Sequence, residues 1–261
     1  MAFTHHHLLI FALCILYVES ADPSAQICNQ NSNTTTSEIT KNIDAVLTTL
    51  VKTASESGYS ATSSGSDQAR IFGLAQCRGD VPSEECSSCI QTAAKEIKTM
   101  CPDRVDARIW YEYCLIRYNT ENFFGQVDTY GVIYANVENV TDPKTFNSAL
   151  GALMDRINTK ASAPGNKGIA KDKTKLSDFE TLYALSQCTR DLSQLSCRQC
   201  LAIAVGNNFP NFCGNKKGCR VIYSSCYVRY ELYPFYFPLD GQKLALESSL
   251  KKNYISVVKK P

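Results

Sequence analysis

The chain has 261 residues, of which 44% are hydrophobic, and its 27 basic and 25 acidic side chains leave a formal charge of +2. A balance so close to neutral gives no electrostatic footprint for nucleic acid or an anionic membrane surface. Three histidines, all at positions 5 to 7, leave little material for histidine chemistry, whereas thirteen cysteines point to an oxidising compartment.

The first element is a processing signal. MAFTHHHLLIFALCILYVES carries an apolar run from Leu8 to Val18, too short to cross a bilayer as a helix and followed by small residues. It reads as a secretory signal peptide, residues 1–20, with cleavage after Ser20. Cleavage removes Cys14, Glu19 and every histidine, leaving twelve cysteines, an even number suited to complete pairing, and a charge of +3. About 240 residues remain, enough for two domains of ordinary size. No second run of eighteen apolar residues follows, and lysines interrupt the closing KLALESSLKKNYISVVKKP. The expectation is a released, extracellular product without a membrane or lipid anchor.

Further along, CRGDVPSEECSSC at 77–89 and CTRDLSQLSCRQC at 188–200 repeat one cysteine spacing. Cys77, Cys86 and Cys89 precede Cys188, Cys197 and Cys200 by 111 residues, and Cys101 and Cys114 precede Cys213 and Cys226 by 112. The flanks agree, IFGLAQC with LYALSQC and EYCLIRYN with SSCYVRYE, so the chain is a tandem duplication.

Within each copy the order of elements is the same. Ile43, Val46, Leu47, Leu50 and Val51 have helical spacing, as do Phe146, Leu150, Leu153, Met154 and Ile157. Small polar stretches follow, GYSATSSGSDQ and TKASAPGNKGIAKDK, suited to hairpins or loops. Second helices run from each CxxC to near Pro102 and Pro210. ARIWYEYCLIRYN and CRVIYSSCYVRYELYPFYF, dense in β-branched and aromatic residues, are strands. Helices and strands without a βαβ rhythm predict α+β domains on antiparallel sheets. The boundaries expected are 21–137 for the first domain, with YGVIYANV as its last strand, 138–245 for the second, and 246–261 as a polar tail.

Three chemistries compete for the clustered cysteines. Structural zinc asks for four soft ligands, and the mature chain has no histidine to contribute. A redox CxxC would have a third cysteine eight residues upstream competing as a partner. Structural disulfides fit best, but six cysteines allow fifteen connectivities and spacing does not choose among them. Catalysis lacks its usual parts, with no Ser-His-Asp or Cys-His set and no glycine-rich phosphate loop, so a binding function without cofactor or metal is expected.

Two copies of C-x8-C-x2-C, each followed by a CxxRY strand, resemble the plant cysteine-rich repeat secretory proteins, whose domain is called ginkbilobin-homology or DUF26. The resemblance implies two tandem domains, each with two helices packed on an antiparallel sheet of about five strands. It implies the bridges Cys28–Cys101, Cys77–Cys86 and Cys89–Cys114, and, in the second copy, Cys188–Cys197 and Cys200–Cys226. The second copy lacks a cysteine near its start and has gained Cys219, which is left for Cys213.

The resemblance also implies a mannose site built from an asparagine after the first cysteine, an arginine six residues before the last, and a glutamate five after it. The first copy offers Asn29, Arg108 and, in the glutamate place, Asn119; the second offers Arg220 and Glu231 without the Cys-Asn element. Eleven residues apart, Arg108 and Asn119 would face opposite sides of one continuous strand. The partners expected are therefore mannose-containing glycans in an antifungal or stress role, or receptor ectodomains and other proteins with the same domain. An extracellular thiol sensor is a further alternative. Surplus aromatics, among them Trp110, Tyr113, Tyr118, Tyr227 and Tyr236, suit an interface, and Asn33 and Asn139 begin N-glycosylation sequons.

Overall fold

A computed structural model describes residues 22–33, 36–239 and 254–259, so the signal peptide expected at 1–20 lies outside the described residues. The element order is β1 (Ala25–Cys28), α1 (Ser37–Ser57), β2 (Tyr59–Ser64), β3 (Ile71–Cys77), α2 (Ser83–Met100), β4 (Ala107–Trp110), β5 (Cys114–Asn119) and β6 (Gly131–Asn136). It continues with α3 (Pro143–Ser162), β7 (Ile169–Lys175), β8 (Thr181–Cys188), α4 (Gln194–Asn208), β9 (Gly218–Tyr223), β10 (Cys226–Glu231) and β11 (Tyr254–Lys259).

The first helices form where the apolar period places them. Thr36 Oγ1 accepts the Ile39 N–H at 3.2 Å to start α1, which buries Ile39, Ile43, Val46, Leu47, Leu50 and Ala54. Gly58, at φ 72°, ends it in a left-handed cap that a side chain would strain. α3 starts on Asp142 with Pro143 in its first turn and buries Phe146, Leu150, Leu153, Met154 and Ile157. α2 has no side-chain cap; Glu84 and Glu85 occupy its first turn, where the helix dipole favours them.

The two copies form α+β units with antiparallel sheets ordered β1-β4-β5-β3-β2 and β11-β6-β9-β10-β8-β7. Three expectations need correction. YGVIYANV does not close the first copy, because β6 pairs with β9 and opens the second sheet in the place that β1 has in the first. The polar tail contains a strand, β11, paired with β6. ARIWYEYCLIRYN is a hairpin of two strands, β4 and β5, turning at 111–113.

Six disulfides join the described cysteines: Cys28–Cys101, Cys77–Cys86, Cys89–Cys114, Cys188–Cys197 and Cys200–Cys226 are the pairs the resemblance implies, and Cys213–Cys219 joins the two cysteines it left over. Register explains the odd sixth bridge. Cys28 lies opposite Ala107 in the first sheet, and in the second Ala135 lies opposite Cys219. The cysteine that ties the sheet to the end of the second helix has crossed from one strand to its neighbour.

Each sheet is covered by its two helices on one face, with separate cores beneath them. The other two faces pack against each other, joining Ile27, Leu74, Trp110, Leu115 and Phe123 of the first unit to Ile222 of the second. Hydrogen bonds cross this interface in reciprocal pairs. The Gln76 side chain donates to Cys188 O and accepts from Arg190 N, both at 2.9 Å, and Gln187 does the same to Cys77 O and Gly79 N at 2.9 Å. Asp80 accepts the Phe237 N–H and Asp191 the Gly125 N–H, each at 2.8 Å. Residues related by the duplication do the same job on opposite sides, so the interface has an approximate two-fold axis.

Candidate functional site

The site residues read from the sequence lie on these facing sheet surfaces. Because β4 and β5 are a hairpin with Arg108 opposite Arg117, Asn119 falls on the same face as Arg108, not the opposite one. Asn29 shares that face, since its N–H donates to Asp106 O at 3.0 Å and Ile27 lies opposite Arg108. Asn29 and Arg108 share one carboxylate, that of Asp106, and Asn119 bonds elsewhere. Asn29 Nδ2 donates to Asp106 at 3.1 Å, and Asn119 Oδ1 accepts the Glu121 N–H at 3.1 Å, holding its own turn.

Arg108 is 5% exposed and committed within the protein. Its Nη1 donates to Asp128 and Ser224 at 2.6 Å each, and its Nη2 to Asp106 at 3.0 Å. Burial opposes the Arg108 charge, but Asp128 and Asp106 outweigh it and hold its pKa above the ordinary guanidinium value. Its neighbour Arg117 lies on the Phe123 ring, 3.7 Å from the centroid, and reaches Asp128 at 3.1 Å. Burial, with the Arg108 charge beside it, brings Arg117 down to about 10.

The second unit repeats the arrangement with different partners. Glu112, at the tip of the β4–β5 hairpin, accepts from Arg78 at 3.0 Å, Arg229 at 2.7 Å and Arg220 at 2.8 Å. Arg78 also holds Asp80 at 2.7 Å, and Arg229 holds Glu231 at 2.8 Å. Three guanidiniums and three carboxylates balance in a buried layer. Burial raises the Glu231 pKa against the pull of Arg229. The Tyr254 hydroxyl of β11 donates to the other Glu231 oxygen.

The asparagine that sequence reading found missing from the second copy is present. Tyr134 lies opposite Arg220 as Ile27 lies opposite Arg108, so Asn136 stands where Asn29 does. Both make the same turn, Asn29 Oδ1 accepting Asn31 N–H at 3.0 Å and Asn136 Oδ1 accepting Glu138 N–H at 2.9 Å. Spacing from a cysteine could not find it, because alanine has replaced that cysteine; the signal was Asn136 itself, the polar residue that closes an apolar strand. Asn136, Arg220 and Glu231 thus complete the implied set in the second copy, but all three are buried, and Tyr254 of β11 packs against Arg220 and Glu231.

Between the units, Trp110, Glu112, Arg220 and Tyr227 line a cavity of about 60 Å³, room for a few waters. All twelve cysteines among the described residues are bridged, which leaves the thiol-sensor reading no free thiol there. Asn33 and Asn139, the sequon asparagines, are both exposed.

The salt stress response/antifungal family model matches residues 27–121 and 134–233, one match for each unit. The chain belongs to this family. Family members with similar sequences include the Arabidopsis thaliana cysteine-rich repeat secretory protein 55, 54% identical over 241 residues that make up 90% of this chain and 91% of that protein. The antimicrobial ginkbilobin-2-like protein of Castanea crenata is 41% identical over 229 residues, 87% of this chain and 94% of its own. Among solved structures, the tandem DUF26 ectodomain of the Arabidopsis thaliana cysteine-rich receptor-like protein PDLP8 matches with a TM-score of 0.71 at 28% identity. It covers 81% of this chain and 98% of that one. The family is one of secretory cysteine-rich proteins and receptor ectodomains, and among the described residues no helix is long and apolar enough to cross a membrane.

Proposed function

We propose that this protein is an extracellular recognition protein of stress or antifungal defence that acts by binding other proteins, without catalysis and without a mannose site. One observation carries the reading: Arg108 is 5% exposed, with both terminal nitrogens bonded to Asp106, Asp128 and Ser224. A sugar would have to break the contact between the units to reach it. Arg220 and Glu231 are enclosed in the same way. The two arginines that the resemblance assigns to mannose bond across the units instead, Arg108 to Ser224 and Arg220 to Glu112, and recognition falls to the outer surfaces.

The receptor-like relatives with tandem ectodomains make proteins of the same fold the natural partners, with the apoplast as the setting. Glycan-array and calorimetric titrations with α-methyl mannoside separate the readings. The expected result is no saturable binding by the wild type, while Arg108→Ala lowers the melting temperature. Saturable mannoside binding that Arg108→Ala abolishes without unfolding the protein overturns the reading.

A further inference from the structure

β11 is an edge strand of the second sheet, paired on one side only. Ile255 is 56% and Val257 40% exposed, and six pairs with β6 are its attachment to the sheet. Residues 240–253 join it to the rest of the chain. A strand with so little burial opens locally at small cost.

Tyr254 is the exception. Its hydroxyl donates to the buried Glu231 carboxylate, and its ring centroid lies 5.7 Å from the Arg220 guanidinium, with the Tyr134 ring 5.1 Å from the same group. Gly218 makes the space: a Cβ there would come within 2.3 Å of the Tyr254 hydroxyl and 1.9 Å of Glu231 Oε2. The β6 edge therefore ends in a pocket that takes a phenol from an extended strand.

An edge alone is not enough, as the first sheet shows. β1 is also an edge strand, but Asp106 stands there in place of Gly218 and Asn119 in place of Glu231. It lacks both the space and the buried carboxylate.

Every contact of β11 described here is to β6 or this pocket, and none requires that the strand belong to the same chain. We infer that the β6 edge with the Gly218–Glu231 pocket is a strand-receiving site whose occupant in trans is the C-terminal strand of a second copy of this chain. Exchange of residues 254–259 between two chains conserves every contact and closes a symmetric pair. The covalent tether opposes it, holding the chain's own strand at an effective concentration on the order of millimolar. Exchanged pairs therefore accumulate where chains are crowded. This inference goes beyond the recognition reading and does not rest on it, since a positive mannoside titration leaves it untouched.

A labelled peptide of residues 253–260 titrated into the full chain tests the site. It competes with the tethered strand, so Tyr254→Phe in the chain raises peptide affinity about tenfold, whereas the same change in the peptide lowers it about tenfold, as expected for a hydrogen bond to a carboxylate. Opposite signs are required; no binding to the Tyr254→Phe chain, or effects of the same sign, overturns the site. Occupancy in trans is read by mixing a chain carrying Ile133→Cys with one carrying Val257→Cys, positions directly opposite in the β6–β11 register. A mixed disulfide dimer whose yield rises toward about 1 mM supports exchange. Absence of that dimer, when both substitutions in one chain bridge internally, overturns it. If Ile133→Cys does not fold, sedimentation of the wild type near that concentration decides: a dimer fraction supports exchange, and a wholly monomeric chain refutes it.

Discussion

Glu112 is the most connected charge between the units, and its removal can be costed. Glu112→Gln keeps the shape and two polar atoms but takes away the charge, leaving Arg78 with Asp80 and Arg229 with Glu231. Arg220 is left without a carboxylate, since Glu112 is its one salt-bridge partner among the described residues. A buried layer that was neutral then carries one uncompensated guanidinium, and breaking such a pair costs about 3–5 kcal/mol. For a chain of this size each kcal/mol moves the melting temperature by about 2–4 °C, so calorimetry should record a fall of about 10–15 °C. Because two of the three bonds cross between the units, the single transition should also split as the units melt separately. Adding Arg220→Leu to Glu112→Leu removes the unpaired charge with its partner and should recover much of the loss. A fall under about 2 °C with one unchanged transition would refute the reasoning, because the arginines would then be adequately solvated without Glu112.

Three further outcomes follow from the same geometry. Ala135→Cys combined with Cys219→Ala should rebuild in the second unit the bridge of the first, linking positions 135 and 213; peptide mapping that finds free thiols there contradicts the register argument. Removing Cys28–Cys101, which closes 73 residues, should cost about 4 kcal/mol, and removing Cys213–Cys219, which closes 6, about 2 kcal/mol by urea unfolding, so the reverse order would exclude a loop-entropy origin. Burial pushes the Tyr227 hydroxyl up to about 12, above its unfolded value near 10. The stability it supports is complete below pH 10 and is lost as pH rises from 10 to 12, by about 3 kcal/mol at most. Tyr227→Phe should therefore be near neutral at pH 7 and gain on the wild type at pH 11 in parallel urea melts; a gap that does not change with pH removes Tyr227 from the alkaline transition.

What the sequence disclosed depended on how local the cause was. The apolar period of α1 and α3 is set within each helix, and every core position named there except Val51, half-buried at the edge, is buried as read. The cysteine spacing carried the family, and the family carried the bridges. Assignments that depend on pairing were less legible. β6 follows the first copy along the chain but hydrogen-bonds to a strand nearly ninety residues later, and no property of YGVIYANV announces that choice. β4 and β5 ran together because Tyr111 and Tyr113 at their turn are themselves good strand residues. The candidate sugar residues had the right identities, but an arginine that binds ligand and an arginine that closes an interface look alike until its partners are known.

The reciprocal bonds of Gln76 and Gln187 make the tandem chain the covalent counterpart of a homodimer. Either unit alone would present to water a sheet carrying Trp110 and Arg108, or Ile222 and Arg220, that is designed to be dry. Joining the halves in one chain makes their meeting independent of concentration, so a chain diluted far below any dimerisation threshold is still assembled. The duplication also relaxes symmetry: once the halves cannot part, Asp106 can become Gly218 and Cys28 can migrate to Cys219, so one half gains a groove that the other never had.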